Sequence, residues 1–178
     1  MYWKSSGKAH TRQTVELSLA KAKEYGINHI VVASCTGATA ALLAGKIENA
    51  VCVTHANGYS GPGTNEMTPE TRKSLTDQGI HVLTTTHVLS GAERGISRKF
   101  NGAYPVEIIA HTLRMFGQGV KVCVEIAVMA LDAGLIPYGQ DIIAIGGTAE
   151  GADTAVVIRP AHASNIFSTS ISEVICKP

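Results

Sequence analysis

The run Ile30-Val31-Val32-Ala33 is rich in β-branched residues, apolar throughout, and lacks the polar alternation of a half-solvated strand. Such a run suits a strand covered on both faces, as in a parallel sheet flanked by helices. It ends on Ser34-Cys35-Thr36-Gly37-Ala38-Thr39 and passes into the helix-forming run Ala40-Ala41-Leu42-Leu43-Ala44, closed by Gly45. The order strand, loop, helix sets an α/β class, and the rest of the chain repeats it. Thr11 as N-cap, Val15, Leu19 and Ala22 at helical spacing and Gly26 as stop predict a helix before this strand. A second strand, Ala50–Thr54, leads into an irregular loop over residues 56–67, and Thr68-Pro69-Glu70 then opens a second helix that ends near Gly79. Strand three, His81–Thr85, precedes a long irregular segment over residues 87–103. Pro105 starts a helix reaching Phe116, and Val120, Val124, Ala127, Val128 and Leu131 mark another. Strand four is Ile142–Ile145 and strand five Thr154–Ile158. Too few residues separate them for a parallel crossover, which needs a dozen or more, so strand five is expected to pair antiparallel or turn away. The tail from Asn165 to Pro178 carries no decisive pattern.

Composition narrows the function classes. With 178 residues, 45% hydrophobic and 16% charged, the chain fits one well-buried domain over residues 1–178 and excludes disorder. A net charge of +1 argues against a broad nucleic-acid surface. No segment approaches the roughly 18 to 20 apolar residues that span a bilayer, and Met1-Tyr2-Trp3-Lys4 lacks the apolar stretch of a secretory signal. A soluble, cytoplasmic protein with no membrane partner is expected. Cys35, Cys52, Cys123 and Cys176 form no CxxC and are read as free thiols of a reducing compartment.

The 18 glycines cluster after the apolar runs, where α/β sheets bind ligands beyond the carboxyl ends of their strands. The Ser34–Thr39 loop offers three hydroxyls, a glycine and the start of a helix, a combination that fits a phosphate. The same residues equally make a tight capped turn. The spacing is not that of a Walker loop, and Gly146-Gly147-Thr148-Ala149-Glu150-Gly151 lacks the glycine pattern of a dinucleotide fingerprint. Residues 87–103 carry Arg94, Arg98 and Lys99 against the single acid Glu93, the makings of a basic lid over an anion or of a solvated loop. Cys35 and His55 both follow strands and are the candidates for nucleophilic catalysis, but no spacing rule joins them and no orienting carboxylate is evident, so a structural cysteine is the favoured reading. No histidine has metal-ligand spacing, and no metal is expected. Asp153 suits either a ligand hydroxyl or the turn into strand five.

Strand one with Ser34-Cys35-Thr36-Gly37-Ala38-Thr39-Ala40 resembles the strand and phosphate-binding turn of the pyruvate kinase C-terminal domain. The segments Gly7 to Thr11, Phe116 to Val122, Glu125 to Ala127 with Met129 to Gly134, and Ala144 to Thr148 with Gly151 to Ala155 extend the likeness to the stand-alone prokaryotic pyruvate kinase C-terminal-like proteins. The resemblance implies a three-layer α/β/α sandwich with a mostly parallel five-stranded sheet, order 3-2-1-4-5, strand five antiparallel. It implies no kinase activity, because the catalytic barrel is missing. In the full enzyme this turn serves a sugar phosphate; in the stand-alone family the cleft is associated with flavin mononucleotide. Cys35 departs from the hydroxyl expected in that pattern.

The implied strand order sets Ser34, Thr36, Gly37, Ala38 and Thr39 beside Gly146, Gly147 and Thr148 at one crevice. Thr54, His55, Asn57 and Gly58 from strand two, Thr84, Thr85 and His87 from strand three, and Asp153 complete the expected site, with Arg94, Arg98 and Lys99 closing over the anion. The expected ligand is a small phosphorylated molecule, flavin mononucleotide first. The alternatives are a regulatory sensor of a sugar phosphate or nucleotide, and a small enzyme dependent on Cys35 and His55. The oligomeric state stays open, a homo-oligomer included.

Overall fold

The computed structural model describes residues 1–178. Five helices and six strands make up its regular structure, apart from short 3-10 turns: α1 Thr11–Tyr25, β1 His29–Ala33, β2 Asn49–Val53, α2 Pro69–Asp77, β3 Ile80–Leu83, α3 Gly91–Phe100, α4 Pro105–Arg114, α5 Gln118–Asp132, β4 Ile142–Gly146, β5 Thr154–Arg159 and β6 Ser170–Cys176. One sheet runs in the order β3-β2-β1-β4-β5-β6. The first four strands in that order are parallel, and β5 and β6 close the edge antiparallel. The fold class and the antiparallel fifth strand agree with the sequence reading; the sheet has six strands because the tail forms β6.

Alternation along the strands divides the core in two. Ile30, Val32, Cys52, Ile143 and Ile145 face one side and pack with Val15, Leu43 and Leu75, under α1 and α2. Val31, Val51, Val53, Ile142 and Ala144 face the other side and pack against Cys123, Val124, Ala127 and Leu131 of α5. Both faces of β1 are therefore dry from Ile30 to Val32, which is why that run shows no polar position. Thr11, expected as the N-cap of α1, is instead its first residue, and its hydroxyl accepts from the Ala152 amide at 3.0 Å; other helix ends follow the local signals. Gly26 ends α1 in the left-handed region at φ 66°, and Thr68 accepts a hydrogen bond from the Thr71 amide at 3.2 Å to cap α2, with Pro69 in its first turn.

The structure corrects two expectations. No α-helix follows β1: Ala40–Leu43 form a 3-10 turn, because Gly45 reverses the backbone at φ 66° and β2 starts at Asn49. Residues 91–100 of the supposed irregular segment form α3, which buries none of its residues. It is tied to α4 by polar contacts instead. Glu93 accepts from the Glu107 amide at 3.1 Å, and the Ser97 hydroxyl donates to the Glu107 carboxylate at 2.6 Å. Between α4, α5 and β6 lies an apolar groove of about 720 Å³ lined by Ile108, Ile109, Leu113, Val124, Phe167 and Ile171. No helix is long and apolar enough to cross a membrane.

Close packing of α5 on the sheet depends on Gly119, where an added Cβ would lie 2.1 Å from the Thr154 hydroxyl and 2.4 Å from its Cβ. Gly119→Ala is expected to destabilise the protein by about 1–3 kcal/mol or more, measured by urea unfolding with the secondary structure followed in parallel. Cys52, Cys123 and Cys176 are fully buried, and burial pushes the Cys52 thiol up to about 12 and raises Cys123 and Cys176. Ellman titration should therefore count one reactive thiol in the native chain, Cys35, and four after denaturation; rapid native reaction of a second thiol would contradict this packing.

Candidate functional site

The turn after β1 is closed from within. The Ser34 amide continues the ladder to the Val53 carbonyl at 3.0 Å, and the Ser34 hydroxyl accepts from the amides of Thr39 at 3.1 Å and Ala40 at 3.4 Å. Ser34 and Thr39 are buried, so the hydroxyl of Ser34 acts as an internal clasp. Gly37 lies at φ +86°, and a Cβ there would meet Thr71 Cγ2 at 2.7 Å and Leu75 Cδ1 at 3.0 Å, which seats the turn on α2. No hydrogen bond within the chain is donated by the amides of Cys35, Thr36, Gly37 or Ala38. Thr36 and Ala38 are exposed. A run of successive unpaired amides at a turn is a feature that favours anions.

The register Val32↔Ile145 between β1 and β4 sets this turn beside Gly146 and Gly147. A Cβ on Gly147 would lie 2.4 Å from the Gly151 carbonyl, so the loop after β4 folds tightly on itself. Thr148 is partly exposed there. Asp153 belongs to the frame. Its carboxylate accepts from the Gly7 amide and the Thr154 hydroxyl, both at 2.8 Å, and its carbonyl accepts from the Trp3 indole at 2.7 Å. It is fully buried, and it ties the first residues of the chain to the end of β4.

On the other flank, Thr54 and Thr84 face each other. Their hydroxyls lie 2.6 Å apart, and the Arg72 guanidinium donates to Thr84 at 2.5 Å and to the Val82 carbonyl at 3.2 Å. These two threonines join β2 to β3 and are engaged with protein partners. Asn57, Gly58 and Thr85 are exposed, and Thr85 with His87 lines a cavity of about 450 Å³ beside β3. His87 bonds the Thr54 carbonyl through Nε2 at 3.2 Å, and its ring lies 5.7 Å from that of His55. The His55 ring stacks on Tyr59 at 3.8 Å and bonds Glu66 through Nδ1 at 2.6 Å.

The basic residues expected over the anion sit elsewhere. Arg94 and Arg98 line a groove of about 340 Å³ with His111 and Arg114, between α3 and α4, and no residue of the turn after β1 lines it. Lys99 does not line that groove; its amine lies 5.6 Å from the Phe100 ring. As part of a helix, these three do not form the irregular lid anticipated.

Cys35 sits half-buried in the turn after β1. With no α-helix behind it to lower its pKa, burial pushes the thiol up, the Glu66 carboxylate adds to the rise, and a hydrogen bond from the His55 amide opposes it. The thiol therefore keeps its proton at neutral pH. The sequence reading missed three residues. Glu66, eleven positions from His55, is the orienting carboxylate that it could not name. Lys121 and Glu125 form a buried ion pair in which Glu125 also accepts from the Leu89 amide at 3.0 Å. Charges four apart inside the apolar run of α5 were the available signal for that pair.

Comparison with known proteins gives the family. Residues 12–158 match the family described as pyruvate kinase, alpha/beta domain. Among solved structures, the chain is similar to a Cryptosporidium parvum pyruvate kinase (16% identity, TM-score 0.45, covering 87% of this chain and 23% of that one). It is likewise similar to the pyruvate kinase of that organism in complex with ADP (15% identity, TM-score 0.42, covering 98% of this chain and 25% of that one). The chain thus spans about a quarter of the length of those enzymes. With the family matched over residues 12–158, the chain belongs to the pyruvate kinase alpha/beta domain family.

Proposed function

We propose that this domain binds a small phosphorylated ligand at the carboxyl edge of β1 and β4, with flavin mononucleotide as the first candidate. The observation that carries the reading is the row of amides from Cys35 to Ala38 with no partner in the chain, on a turn held rigid by Ser34 and by Gly37 against α2. Polar backbone groups need partners, and phosphate oxygens satisfy several at once. Two exposed side chains support a flavin as the rest of the ligand. Tyr59, 65% exposed and stacked on His55, offers a flat aromatic surface at the same edge, and Asn57 supplies an exposed amide side chain. A bound flavin would supply redox chemistry, and the residues here would bind and orient it.

A second reading, a sensor of a sugar phosphate or nucleotide, is favoured by the groove containing Arg94, Arg98 and Arg114, because three guanidinium groups suit a ligand with more than one anionic group. A nucleophilic role for Cys35 is disfavoured by its protonated thiol.

Titration with flavin mononucleotide, followed by flavin fluorescence, separates these readings. The first expects saturable binding that Thr36→Asp abolishes by placing a carboxylate at the amides, and that Thr36→Ala weakens by roughly ten- to a hundredfold through loss of a hydroxyl hydrogen bond to charged oxygen. The Arg94→Ala/Arg98→Ala pair should leave flavin affinity within about twofold under the first reading. Under the second, the wild-type protein binds a sugar bisphosphate or nucleotide instead, and the arginine pair loses that binding. Unchanged flavin affinity in Thr36→Asp would remove the turn from the site.

A further inference from the structure

Cys35, His55 and Glu66 come from three separate stretches, the turn after β1, the segment after β2 and the end of the loop before α2. The fold brings their donor atoms together. The thiol sulfur, a ring nitrogen of His55 and a carboxylate oxygen of Glu66 all lie within 4.8 Å of one another. A tetrahedral ion with bonds of roughly 2.0–2.3 Å holds its ligand atoms about 3.3–3.8 Å apart. To hold an ion, the Glu66 carboxylate, now 2.6 Å from the His55 ring nitrogen, has to draw back from the imidazole while the thiol comes nearer.

Two features go beyond an ordinary histidine–carboxylate pair. The pair at 2.6 Å accounts for His55 and Glu66, but it gives no reason for a thiol to stand beside the same carboxylate. The imidazole is also covered on one face, since Tyr59 stacks on it with ring centroids 3.8 Å apart. The chemistry of the donors selects the ion. One sulfur, one nitrogen and one oxygen suit borderline zinc-like cations, whereas calcium and magnesium prefer oxygen alone. The side chains of His55 and Glu66 are 32% and 30% exposed, which leaves a side of the cluster open to solvent.

We infer that Cys35, His55 and Glu66 form a three-ligand site for a divalent transition-metal ion of the zinc class, with one position open to water or to an incoming ligand. Open three-ligand centres are the form in which zinc polarises a bound molecule, as distinct from closed four-ligand structural sites. The site needs no phosphorylated ligand, so flavin or sugar-phosphate binding can fail while it stands.

Cobalt(II), added to the full-length chain without other ligands, is the probe. One Co²⁺ per chain is expected, with a thiolate-to-cobalt charge-transfer band and the visible bands of a tetrahedral ion, all removed by equimolar Zn²⁺. Cys35→Ser should lose the charge-transfer band, and Glu66→Gln should keep it. Both should weaken binding by at least the roughly 10- to 100-fold that loss of an outer-shell partner costs. Cys176→Ser, which alters a buried thiol outside the cluster, should bind as the wild type does. Circular dichroism checks that the variants fold. Zn²⁺ protection of Cys35 from iodoacetamide, read by peptide mass, tests the same site in the unmodified chain. Absence of Co²⁺ binding in large excess, a charge-transfer band that persists in Cys35→Ser, or alkylation of Cys35 unaffected by Zn²⁺ would each overturn the inference.

Discussion

β1 has no free edge. It pairs with β2 on one side and with β4 on the other, both parallel, so its peptide groups are satisfied by the sheet and its side chains enter a dry core on each face. The pairing ends at nearly one level, with Ala33 opposite Val53 and Val32 opposite Ile145. Ser34 still reaches the Val53 carbonyl, and beyond it the neighbouring strands have run out. The unpaired amides from Cys35 to Ala38 are thus a consequence of topology. At the place where connections from β1 and β4 diverge, no further strand is available to bond them.

The frame around that edge is held by contacts that contribute more to placement than to net stability. Lys121 and Glu125 are buried on α5, where the attraction between charges does little more than offset their desolvation. Glu125, however, also takes the Leu89 amide, and His87 reaches the Thr54 carbonyl, so the chain leaving β3 is pinned between α5 and β2. Asp153 does the same on the opposite flank, joining Gly7 and Trp3 to the end of β4. Replacing Glu125 by an apolar group would leave the buried Leu89 amide without its partner, and replacing Asp153 would do the same to the half-buried Gly7 amide.

What could be read from sequence follows from how each element is held. The α1, α2, α4 and α5 helices and the first five strands are fixed by apolar periodicity and by caps such as Thr68-Pro69, both visible in a linear pattern. The α3 helix buries nothing, contains Gly95, and is retained by Glu93 and Ser97 acting on Glu107, so no core-facing stripe marks it. The alternation of β6 is broken by register shifts opposite Ala155/Val156 and Val157/Ile158, which is why its tail carried no period of two. Alanine and leucine at residues 40–43 have high helix propensity, yet the short crossover to Asn49 leaves room for only one tight turn.

The site divides along the same line. Ser34 to Thr39 was legible because its residues are consecutive and act locally, whereas the meeting of Glu66 with His55 depends on how the intervening loop closes. That loop is held largely by its own hydrogen bonds, from the Gly58 amide to the Thr64 carbonyl at 2.7 Å and from the Thr64 hydroxyl to the Gly61 carbonyl at 2.7 Å. Only Met67, at its end, enters the core. The turn after β1, by contrast, is clamped by Ser34 and seated on α2 through Gly37. The carboxyl edge therefore combines a rigid row of amides with a wall, carrying Tyr59 and Glu66, that few buried contacts restrain. Under the proposed function, the fixed side would set which anionic group is accepted, and the adjustable side would absorb differences in the rest of the ligand at low energetic cost.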